Sequence, residues 1–78
     1  MRPCEFLNKL VGSQIEVKVK VSEREYEVYH GKLHSFDEHM NLLLFNAVKM
    51  ENGRKSLRYG TILIRGASVI MIRSLDGH

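Results

Sequence analysis

Two short clusters carry the side chains with the most chemistry to offer. One is Asp37-Glu38-His39-Met40-Asn41 and the other is Arg65-Gly66-Ala67-Ser68. Each adjoins an apolar run, Leu42-Leu43-Leu44-Phe45 in the first case and Ile62-Leu63-Ile64 with Val69-Ile70-Met71-Ile72 in the second. Together they supply an imidazole, an amide and a guanidinium. Neither holds a nucleophile beside a base, closely set metal ligands or a phosphate-cradling glycine loop. Imidazole and guanidinium planes stack on flat rings, and an amide presents donor and acceptor in one plane. The set is suited to holding a base, and no enzymatic activity is expected.

The remaining polar residues point elsewhere. His30 and His34 would share one face of a helix, but the segment reads as a strand, where four residues span roughly 13 Å. Zinc–nitrogen bonds are about 2.0–2.1 Å, so one ion cannot bridge the pair, and neither a metal nor another cofactor is expected. With Lys32 these histidines could form a basic stripe on one strand face, interrupted by Gly31, but a plain solvated face is the expected reading. Arg54, Lys55 and Arg58 read as a solvated hairpin tip. Cys4 has no catalytic neighbours and is expected to pack. Tyr26, Tyr29 and Tyr59 are expected in the core or at a subunit contact.

The elements that must position the two clusters follow from periodicity. Residues 3–11 read as a helix that starts on Pro3, whose missing N–H costs nothing at a first helical position. Phe6, Leu7, Leu10 and Val11 form its apolar stripe, and Gly12 ends it. Strands are expected at about 14–21, 26–36, 41–50, 56–65 and 69–73. In the first, Ile15, Val17, Val19 and Val21 alternate with charged residues. Asn52-Gly53 is a strong hairpin signal. Gly31 and Gly60, inside strands, mark bends or close backbone approaches. The fold class is therefore mainly all-β: a short helix, then five strongly bent strands closing into a partly open barrel.

Bulk properties frame this reading. The chain has 78 residues, enough for one small domain over 1–78 that hides only about 60% of its unfolded surface. A single cysteine excludes an internal disulfide and argues against a zinc cluster. Partner subunits are the remaining staple for so small a core. The last strand is apolar on both faces, and such an edge is a template for another chain. Two different edges joined head to tail generate a closed ring. The net charge of +3 and pI of about 9.2 fit a nucleic-acid partner without requiring one. No run approaches the roughly 18 apolar residues of a membrane span, and no signal peptide is evident. The expected location is the cytoplasm, or the nucleus in a eukaryotic cell.

Gly31, Phe36-Asp37, Met40-Asn41 and the strand after them, with Ile64-Arg65-Gly66 and Val69-Ile70, resemble the two signatures of the Sm and Sm-like (LSm) RNA-binding proteins, the archaeal type most closely. The resemblance runs from the helix to the last strand. It implies a helix-capped five-stranded SH3-like barrel (the Sm fold). Subunits would join fourth strand to fifth in a homo-oligomeric ring, seven in preference to six, or with other Sm-like subunits. Uridine-rich single-stranded RNA would bind near the pore, the ring acting as scaffold or chaperone in RNA processing. By resemblance, His39 and Arg65 sandwich a base and Asn41 reads its edge, while Asp37, Met40, Gly66 and Ser68 support the loops. Uracil carries an N–H beside a carbonyl, which an amide can match, whereas cytosine reverses that pattern. Ala67 departs from the Asp or Asn often found after the Arg-Gly pair. The alternative implied role is that of a non-equivalent assembly subunit in a mixed ring.

Overall fold

A computed structural model describes residues 2–76; Met1, Gly77 and His78, the ends of the expected 1–78 domain, lie outside the described residues. The order is α1 (Pro3–Leu10), β1 (Gln14–Ser22), β2 (Glu25–Phe36), β3 (Leu42–Glu51), β4 (Arg54–Ile64), a 3-10 turn (Gly66–Ser68) and β5 (Val69–Ser74). The five strands form one antiparallel sheet in the order β4-β3-β2-β1-β5. The expected fold is the one observed, a short helix on a strongly bent five-stranded sheet.

Pro3 opens α1, Glu5 lies in its first turn and Lys9 in its last, charges that complement the helix dipole. The helix buries Leu7 and Leu10 only; Phe6 and Val11, at the margins of the expected stripe, are exposed. Two turns laid on a sheet can sink one line of residues, not four. Cys4 is exposed as well, a correction to the expectation that it packs. Gly12, at φ +90°, ends the helix. The chain then joins the sheet, with the Gly12 N–H donating to the Leu33 carbonyl (2.8 Å) and the Leu33 N–H to the Ser13 carbonyl (3.0 Å).

Beneath the helix lies an apolar core of Ile15, Val17 and Val19 from β1, Leu33 from β2, Leu42, Leu44 and Ala47 from β3, and Ile64 from β4. The β1 alternation holds through Val19. Val21 breaks it and is exposed, because the register slips between Lys20 and Ser22 near the hairpin end.

The sheet bends along a line across three strands. Gly31 on β2, Asn46 on β3 and Gly60 on β4 coincide with register shifts in both strand pairs. Asn46 and Gly60 have φ of 53° and 77°, a left-handed backbone that glycine and asparagine adopt most readily. Gly31 contributes differently: a Cβ there would lie 3.2 Å from the Phe45 carbonyl oxygen and 3.3 Å from Ala47 Cα. The two glycines were legible as bends; Asn46 was not. Its extra residue explains why β3 buries Leu42 and Leu44 and then Ala47. Asn52 and Gly53, φ 52° and 78°, form the tight β3–β4 turn that their types favour.

Candidate nucleic-acid interface

The first cluster is a tight turn built around one carboxylate. Asp37 Oδ1 accepts from the backbone N–H groups of His39 and Asn41, both at 2.9 Å. Its Oδ2 accepts from Asn41 Nδ2 at 2.8 Å. The backbone closes the same turn, with the Met40 N–H donating to the Asp37 carbonyl (2.9 Å) and the Asp37 N–H to the Asn41 carbonyl (3.1 Å). Met40 takes a left-handed conformation, φ 62°, which this network holds in place. The Asn41 amide, with the Asn41 and His39 N–H groups, stabilises the charged carboxylate and lowers the Asp37 pKa. Asp37 is thus the brace that local chemistry suggested, an Asp bonding N–H groups two and four residues on.

The second cluster meets the first through Asn41. Asn41 Oδ1 accepts from the Gly66 N–H at 2.8 Å, although the residues are 25 apart in the chain. Gly66 serves close approach and not a special φ. A Cβ there would fall inside van der Waals contact of the His39 carbonyl oxygen and 2.7 Å from the Met40 carbonyl carbon and oxygen. Arg65 is extended (φ −73°, ψ 128°), and its carbonyl accepts from the Ser68 N–H (3.0 Å) across the short turn.

A cleft results, lined by His39, Met40, Asn41, Leu63, Arg65, Gly66 and Ala67. It brings together five of the seven residues singled out from the sequence. Asp37 stands behind it as the brace. Ser68 lines the neighbouring groove with Val19, Tyr29, Tyr59 and Ile62, so it supports the turn without facing this cleft. Leu63 is the wall residue that sequence reasoning passed over. It sits in an apolar run, yet it is 68% exposed; the alternation with buried Ile64 is the signal that could have found it. His39 is 76% exposed, with Nε2 3.6 Å from Glu38 Oε1.

The histidines of β2, expected on a plain solvated face, are partnered. His30 Nε2 lies 2.8 Å from Glu16 Oε2, and His34 stacks on Phe45, centroids 4.2 Å apart and planes at 16°. Tyr29 is half-buried against the core and Tyr59 lies 5.9 Å from it, whereas Tyr26 is exposed beneath the Lys18 ammonium. No helix among the described residues is long and apolar enough to cross a membrane.

The molecule is a short helix on a bent five-stranded antiparallel sheet, with Asn41 and Arg65 lining one cleft between two loops. The family model for the LSM domain matches residues 5–74. The chain belongs to this family, and its Sm fold is shared with solved relatives. It is 35% identical over 74 residues to the LSM complex subunit lsm6 of Schizosaccharomyces pombe, covering 95% of this chain and 93% of that one. The structure of the P. aerophilum SmAP1 heptamer superposes with TM-score 0.82 at 33% identity, covering 96% and 95%. The Pyrococcus abyssii Sm protein, solved in complex with a uridine heptamer, superposes with TM-score 0.83 at 28% identity, covering 95% and 99%.

Proposed function

We propose that this chain assembles into a ring and binds uridine-rich single-stranded RNA in the cleft between residues 37–41 and 65–67, as scaffold or chaperone and without chemistry of its own. The observation that carries this reading is the double lock on Asn41. Asp37 and the Gly66 N–H hold its amide in one orientation, so an edge of fixed polarity is presented beside the two planar groups of His39 and Arg65. Stacking on such groups contributes about 1–3 kcal/mol per base. The relatives solved as a heptamer and with a uridine heptamer support the same reading. The sheet leaves β4 and β5 at its two edges, where Leu57, Tyr59, Leu63 and Ile70 are exposed. Pairing these edges between subunits would cover them and repeat the cleft around a pore, raising the local concentration of pockets for one strand.

The test is fluorescence anisotropy with oligo-U and oligo-C at low and moderate salt. Phosphate contacts weaken steeply with salt. A uracil preference that persists at moderate salt is expected; equal binding that vanishes with salt would reduce the cleft to a basic surface. Similarity to a subunit of an LSM complex favours a second reading, an assembly subunit of a mixed ring. Light scattering on the pure protein separates the two, a closed ring supporting self-assembly and a lone subunit supporting the mixed ring.

A further inference from the structure

Away from the cleft, the sheet face turned from the core carries a surface of its own. Lys32 and His34 flank buried Leu33 on β2 and are both exposed, so both side chains stand on this outer face. Phe45, the cross-strand partner of Lys32 on β3, lies there too. His34 stacks on Phe45, centroids 4.2 Å apart and planes at 16°. Phe45 thus covers one face of the imidazole. The exposure of His34 is that of its other face and its edge, and the ring is held flat for a second stacking partner.

Past the bend, the next row on this face runs from His30 through Val48 to Arg58. A groove there is lined by Asn46, Val48, Lys55 and Arg58, with His30 and Asp76. His30 is engaged by Glu16, and Asp76 Oδ2 accepts from the Gln14 N–H at 3.2 Å. Among the described residues, Lys49 and Arg73 are ion-paired, whereas Lys32, Lys55 and Arg58 are not. Platform and groove therefore set three cations against one carboxylate, Asp76. From Phe45 to Val48 is about 10 Å of strand, within reach of a few nucleotides and of long side chains. A flat ring flanked by cations suits a base with phosphates on either side. An acidic peptide would use the cations and leave the imidazole face empty.

We propose that this outer face is a second site for single-stranded RNA, separate from the cleft and indifferent to sequence. The Phe45-backed His34 ring stacks a base, and Lys32, Lys55 and Arg58 hold the neighbouring phosphates. Stacking tolerates any base, and phosphate contacts carry no sequence information. The platform lies on β2 and β3, interior strands of the sheet, so pairing of the β4 and β5 edges between subunits leaves it uncovered.

The chain contains no tryptophan, so His34→Trp places a lone indole on Phe45 as a reporter. Decaadenosine at low salt should quench its fluorescence, and equally so when Arg65→Ala is added in the cleft. In the otherwise unaltered chain, His34→Ala should weaken decaadenosine binding about fivefold or more, with any preference for oligo-U over oligo-C unchanged. Lys55→Gln with Arg58→Gln should lower the salt slope of binding by about 1.4, at about 0.7 per phosphate contact. Thermal unfolding and light scattering check that each variant keeps its fold and assembly; the two glutamine changes are at exposed positions and decide the matter should His34→Ala fail to fold. Decaadenosine bound by anisotropy without quenching would overturn the proposal, as would an unchanged salt slope. Polyglutamate displacing decaadenosine at equal charge concentration would reduce the face to a general anion surface and overturn it too. A parent with no uracil preference would remove the base site in the cleft and leave this one standing.

Discussion

Two carboxylates organise this molecule in opposite ways. Asp37 spends its oxygens on neutral N–H groups of its own turn and on the Asn41 amide. Glu16, in the middle of β1, spends its oxygens on two basic side chains: Arg73 Nε at 2.6 Å and His30 Nε2 at 2.8 Å. Those partners stand directly opposite it on the neighbouring strands β5 and β2. Both carboxyls are made more acidic, Asp37 by its N–H donors and Glu16 by hydrogen bonds from Arg73 and then His30, which bring it to about 2. The outcome differs because the donors differ. The amide bound to Asp37 keeps an unused donor and acceptor, whereas the Glu16 cluster absorbs its basic partners. One carboxylate fixes the Asn41 amide and the other ties an edge strand to the sheet.

The comparison breaks most violently at Gly66. Gly66→Ala forces a methyl into the His39–Met40 backbone, which must move apart from the second loop. We expect loss of stability at the upper end of the about 1–3 kcal/mol typical of overpacking, together with loss of uracil preference. Denaturant unfolding and oligo-U binding on the same preparation test both. Stability and preference near those of the parent would show that the loops do not need their close approach.

Glu16→Gln tests the other carboxylate. It removes a charged acceptor from Arg73 and His30 in a site where Glu16 is only 16% exposed. Hydrogen bonds to charged groups contribute about 1.5–3 kcal/mol, and a loss of about 2 kcal/mol with base preference retained is expected. The pH dependence follows from the sign of the shift. The folded pKa lies below the ordinary value of 4.5, so the contribution is complete above pH 4.5 and is lost as pH falls towards about 2. Glu16→Gln should therefore flatten the acid limb of the parent's stability curve. An unchanged limb would assign acid lability to other carboxyls, Asp37 and Glu27 among them. Glu27 is also lowered, by hydrogen bonds from Tyr29 and Lys49.

Arg65→Ala sharpens the distinction between stacking and readout. Removing one stacking face should weaken RNA binding by about 1–2 kcal/mol while the ratio of oligo-U to oligo-C affinity stays near the parent's. A collapsed ratio would give Arg65 a share in edge recognition. The smallest effect is expected at Cys4, whose exposed thiol touches neither carboxylate network. Cys4→Ser should shift stability by no more than about 0.5 kcal/mol, as thermal unfolding would show, and a larger shift would restore the packing role expected from the sequence.

How much was legible depended on how far apart the partners lie along the chain. The Asp37 brace spans two to four residues, and the Asn52-Gly53 turn spans two, so residue type was enough. The strands were legible because alternation reports burial. The tie between Glu16 and Arg73 joins residues 57 apart. No local pattern marks it, and Glu16 looks like any charged residue on an alternating strand. His30, expected on a solvated face, has a partner the sequence did not show for the same reason: strand pairing brings Glu16 to it. The helix margins and Cys4 were misjudged because a stripe predicts which face turns inward and not how wide the contact will be.

By itself, the amino-acid sequence determined the helix, the five strands, the glycine bends and which polar groups the two loops carry. These are matters of torsional preference and period, which each segment carries alone. Tertiary structure decided that Asn46 completes the bend, that Leu63 and Ala67 wall the cleft while Ser68 does not, and that the Gly66 N–H orients the Asn41 amide. Each of these depends on where a distant backbone arrives. That position is set by the registers of all the strands folding together around one apolar core.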